Sequence, residues 1–104
     1  MRILKKLIGK ADDTLEEIWW YAEKAISLKE DHRQLAETYI KIAEMHVTIY
    51  NMLHDQMVAL ISEQKKRGEK VPLGMQEIWD YEHTKLIKSF AEAKSLLDEF
   101  RKST

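Results

Sequence analysis

The chain has 104 residues, 44% of them hydrophobic and 34% charged, with 17 Lys plus Arg against 18 Asp plus Glu. That length makes one domain, close to the size at which folded monomers become marginal. A formal net charge of −1 leaves no basic excess to displace counterions from nucleic acid, and the absence of cysteine excludes disulfides, thiolate zinc sites and a cysteine nucleophile.

Apolar residues at 4, 8, 11, 15, 18, 19, 22, 25 and 26 hold one helical phase from Leu4 to Ile26 and predict a first helix over about 2–28. A short basic turn followed by a helix capped near Asp13 is the alternative. Asp13 and Glu16, and Thr14 and Glu17, stand at capping-box spacing. The unslipped phase favours one helix through Gly9. Trp19 lies on the apolar stripe. Trp20 and Tyr21 turn away from it, and an exposed aromatic pair of this kind points to a protein contact.

The pattern breaks at residues 29–32. Asp31 with Gln34 reads as a new cap, and Lys65, Lys66, Arg67 and Gly68 read as a helix end, so a second helix is expected over about 31–67. It carries two apolar stripes. One runs through Leu35, Tyr39, Ile42, His46, Ile49, Leu53 and Leu60; the other runs through Ala36, Ile40, Ala43, Val47, Tyr50, His54, Val58 and Ile61. Two stripes imply two neighbours, making this the central helix.

Pro72 and Gly74 introduce a third helix over about 73–102, with the stripe Met75, Ile78, Trp79, Glu82, Leu86, Phe90, Ala93, Leu97 and Phe100. Short linkers join neighbours antiparallel. The expectation is an all-α, antiparallel three-helix bundle forming a single domain over 1–104. No run approaches the roughly 20 apolar residues of a membrane span. The opening MRILKKLIGK lacks the apolar run and cleavage site of a signal peptide, so a cytoplasmic location is expected.

Glu82 interrupts a core stripe, which is costly for a carboxylate without a partner. Pairing the second and third helices across their turn brings His54 within about one turn, roughly 6 Å, of His83. His54, His83, Glu82 and Asp80 could then form a site for a divalent ion such as iron, manganese or zinc. The plainer alternative is a hydrogen-bonded polar layer that fixes helix register. In that case Glu82 should bond to a histidine or a tyrosine. His46 and Tyr50, with Trp20 and Tyr21, are the expected interface residues of a homo-oligomer, most simply a two-fold dimer. No nucleophile or oxyanion-donor pattern points to catalysis.

The segments LAETYIKIAEMHVTIYNMLHDQMVALI (35–61) and GMQEIWDYEHTKLI (74–87) resemble small helical proteins encoded in phage and prophage genomes. Those proteins are similar to ferritin-like bundles, a short helix followed by a long helical hairpin. The resemblance covers roughly residues 19–100. It implies a ferritin-like fold, a phage or prophage setting in a host cytoplasm, and a Glu-x-x-His metal element near AEMHVTIYNMLH. Tyr50, His54 and His83 match that pattern. No Glu-x-x-His occurs in the chain; the nearest spacing is Asp80-x-x-His83.

Overall fold

In a computed structural model describing residues 2–68 and 73–102, the chain forms α1 (Arg2–Leu28), α2 (Arg33–Lys66) and α3 (Leu73–Lys102), with no strand among the described residues. The turn expected at 69–72, with Pro72, lies outside the described residues, as do the side chains of Met75 and Ile78. α1 runs unbroken through Gly9, whose missing Cβ would meet nothing within 4 Å. One face of it is buried along its whole length, from Leu4 to Ala25, and this continuous burial offsets the weak helix propensity of glycine.

The α1–α2 linker runs one residue further than the Asp31 capping signal implied. His32, not Asp31, is the N-cap of α2, and it makes no side-chain cap bond. Its N–H donates to Leu28 O at 2.8 Å while its carbonyl accepts from Ala36 N–H at 2.9 Å, so the backbone bridges both helices and Asp31 stays in the turn. At the other end of α2, Arg67 and Gly68 N–H groups close on Glu63 O and Lys65 O. Gly68 takes φ +71°, a left-handed conformation that favours glycine, and Lys65 and Lys66 complement the helix dipole.

α1, not α2, is the central helix. It runs closely beside both others, whereas the α2 and α3 backbones approach at few points among the described residues. Side-chain size is the cause. The buried faces of α1 and α2 carry Ala11, Ala22, Ala25, Ala36 and Ala43, all fully buried, and small residues let two backbones come close. The α2–α3 seam is filled instead by rings, which hold the backbones apart. Of the two stripes on α2, only the one through Ala36, Ile40, Ala43 and Tyr50 is buried; Leu35 and Ile49 of the other are exposed.

At one end, Lys29 Nζ donates to Phe100 O at 2.7 Å and sits 4.7 Å from the Phe100 ring, satisfying a carbonyl in the last turn of α3. Arg101 reaches Glu37 and Glu44 on α2. Asp12, Leu15 and Trp19 lie beside Lys85 and Ser89, so α1 and α3 run parallel with α2 antiparallel to both. The result is a rod of 56 × 19 × 18 Å.

Candidate functional site

Five aromatic rings stand in sequence along the α2–α3 seam: Trp79, His83, His54, Tyr50 and Phe90. Successive centroids are 4.7, 5.1, 6.1 and 4.4 Å apart, with interplanar angles of 11–23°. Spacing alone marked each of these residues as a core or polar position. The ladder went unrecognised because it needs rings from both helices at matching heights.

At its centre His54 Nε2 and His83 Nε2 are 3.0 Å apart. One ring must donate its N–H to the other's lone pair, so a doubly protonated pair has two donors facing each other. Burial pushes the His83 imidazole below its ordinary range. A charge on His54 pushes the same way, and Asp80 opposes both. A lowered native pKa means that the neutral pair contributes stability above the ordinary histidine value. That contribution is lost as pH falls through it toward the native one. Denaturant midpoints should therefore drop as pH falls below the ordinary histidine value of about 6.5, and the drop should shrink in His83→Phe. An unchanged pH profile in that variant would remove the pair as its source.

The carboxylates do not complete this pair. Among the described residues no three His, Asp or Glu side chains converge closely enough to hold a metal ion. Of the expected grouping His54, His83, Glu82 and Asp80, the structure brings the two histidines together. Glu82 precedes His83 by one residue, about 100° round the helix, and Asp80 lies exposed on its flank. The hydrogen bond expected at Glu82 is also absent: its Oε2 is buried without a partner, as is the Tyr50 hydroxyl. Burial, with the Asp12 charge adding to it, pushes the Tyr50 phenol up to about 12.

Tyr50 is no interface residue of this chain, because it is buried with its ring against Phe90. Tyr21 is half-buried rather than exposed, packed edge-on against Tyr39 and stacked on His46. His46 is half-buried too, its Nδ1 donating to Ile42 O at 2.9 Å. Trp20 alone of that group is open, 48% exposed, with its ring 5.9 Å from Tyr39. Beside it the α2 surface presents Leu35, Met45, Ile49 and Met52, between 44% and 65% exposed. Part of this face, Leu35 and Ile49, belongs to an apolar stripe already visible in the sequence. Nor is any helix of the described residues long and apolar enough to cross a membrane. No family model, curated protein or solved structure matches the chain.

Proposed function

We propose that this protein is a non-catalytic structural or protein-interaction module that acts by self-association, most simply as a two-fold dimer. One observation carries the reading: α2 presents an apolar stripe to solvent along most of its length, with Trp20 at its edge. Exposed apolar residues at helical spacing over several turns are a contact surface, not scattered surface residues. The resemblance to phage and prophage proteins supports an accessory role in a host cytoplasm, and the ferritin-like arrangement belongs to the same reading. Light scattering at tens of micromolar should give twice the 12.3 kDa chain mass. A stable mass of one chain would sink the reading.

The histidine pair favours a second reading, a metal-binding or redox protein. Two nitrogens 3.0 Å apart have the separation of two ligands on one ion with bonds of about 2.0–2.1 Å. Thermal melts of wild type and Glu82→Leu, with and without zinc, separate the readings. The structural reading expects Glu82→Leu to be neutral or more stable, because it removes a buried unpaired oxygen, and expects zinc to shift neither melt. A zinc-dependent rise lost in His54→Ala would favour the metal.

A further inference from the structure

We propose that the occupant of the exposed α2 face is α2 of a second copy, lying antiparallel about a two-fold axis that passes beside Thr48, between Met45 and Ile49. The inference rests on the self-association reading and adds orientation and register to it. Leu35, Ile42, Ile49 and Gln56 recur every seven residues, and Thr38, Met45, Met52 and Ala59 recur in the same register three positions on. A three–four alternation of this kind is the seam of a two-stranded helical coil. It is separate from the face that holds α1 and α3. The buried positions Ala36, Ala43, Tyr50 and Met57 each follow a seam residue by one, about 100° round the helix.

Only one antiparallel register matches this seam to itself chemically. With Met45 level with the partner's Ile49, Ile42 meets the partner's Met52, apolar against apolar. Thr38 meets the partner's Gln56, so the seam's two polar residues face each other instead of facing aliphatic groups. On one flank Lys41 then stands opposite the partner's Asp55, and the two-fold repeats that ion pair. Thr48 faces its own copy at the axis between them. On the other flank Tyr39, which carries Trp20 against it, comes over the partner's Leu53, bringing the exposed indole into the interface. Shifting by one heptad either way sets Thr38 against the partner's Ile49, or Gln56 against the partner's Met45, and it separates Lys41 from Asp55. A parallel pair sets Lys41 against the partner's His46 and leaves Asp55 beside the partner's Leu60. Charge and polarity both select the antiparallel arrangement, in which two α2 helices form the centre of a six-helix assembly.

The chain has no cysteine, so single introduced cysteines report position without background. Thr48 is exposed and Leu35 is 44% exposed, so Thr48→Cys and Leu35→Cys disturb neither core nor helix. A short bis-maleimide should link Thr48→Cys chains into a dimer. It should fail with Leu35→Cys, whose two copies stand about 36 Å apart along the axis. Lys41→Glu should weaken the dimer about tenfold, and the swapped variant Lys41→Asp with Asp55→Lys should restore it. Efficient linking of Leu35→Cys would establish a parallel pair and overturn the proposal. Failure of both cysteines in a protein of doubled scattering mass would place the contact elsewhere, with self-association intact. A single-chain mass would remove the self-association reading itself.

Discussion

Phe100→Ala is expected to cost about 3–5 kcal/mol of folding stability, the range for truncating a buried aromatic residue. Phe100 is the largest fully buried side chain among the described residues, and it closes the core at the end of the rod where α1 turns into α2. Its loss opens a cavity between helices that are already fixed by the linker at 29–32, so collapse around the gap is limited. The substitution also removes the ring under the Lys29 ammonium, a contact worth about 0.5–1 kcal/mol at a site of this kind. The Lys29 bond to Phe100 O survives, because it is made to the backbone. A domain of this size commands about 5–15 kcal/mol in total, so the variant should lose a third of its stability or more. Thermal melts at one fixed protein concentration should show the midpoint falling by well over 10 °C, at about 4–8 °C per kcal/mol. A fall of only about 1 kcal/mol would mean that the end of the bundle can repack.

Met45→Glu combined with Ile49→Glu should convert the proposed dimer to monomers while leaving each chain folded. Both residues are exposed in the single chain, and substitutions at such positions move monomer stability by about 0.5 kcal/mol or less. In the antiparallel pair they face each other across the axis, so the double variant gathers four carboxylates in two adjacent layers. Unpaired charge buried at an interface costs several kcal/mol, and affinity should fall at least about a thousandfold. Sedimentation should show single chains, and far-UV circular dichroism should show the helical content unchanged. An unfolded variant would mean that these residues belong to the chain's own core; an unchanged dimer would mean that the contact uses another face.

The three helices and their order were legible because a 3.6-residue period survives along almost every turn of this sequence. Gly9 was readable for the same reason: it interrupts the residue types of α1 without shifting their phase. Which helix lies at the centre was not legible. A periodic stripe says that a face is apolar, but the distance of approach depends on size. The alanines of α1 and α2 decide that only once the two helices are matched in height. Tyr50 illustrates the limit at the site. Its spacing put it on a wide apolar face, and its burial depends on α1 and on the ring of Phe90 coming from α3. The His54–His83 meeting was readable from the hairpin register, since both residues count from the same turn. The fate of Glu82 was not, because a buried oxygen without a partner follows from the space around it and not from the stripe that carries it.

Because α1 and α3 run parallel, Arg2 and Lys102 sit at opposite ends of a rod 56 Å long. Whatever is attached at one of these positions leaves the molecule in the opposite direction from whatever is attached at the other. Joining them directly would mean spanning the 30 residues of α3, about 44 Å, which takes a connector of about 13 extended residues, so permuting the order of the helices with a short loop is not open to this fold. In the proposed antiparallel pair of rods the effect doubles: each end of the pair carries one Arg2 and one Lys102. Tethers fused to either position then emerge at both ends alike, and two different attachments, one per terminus, are displayed together at each end of a single symmetric spacer.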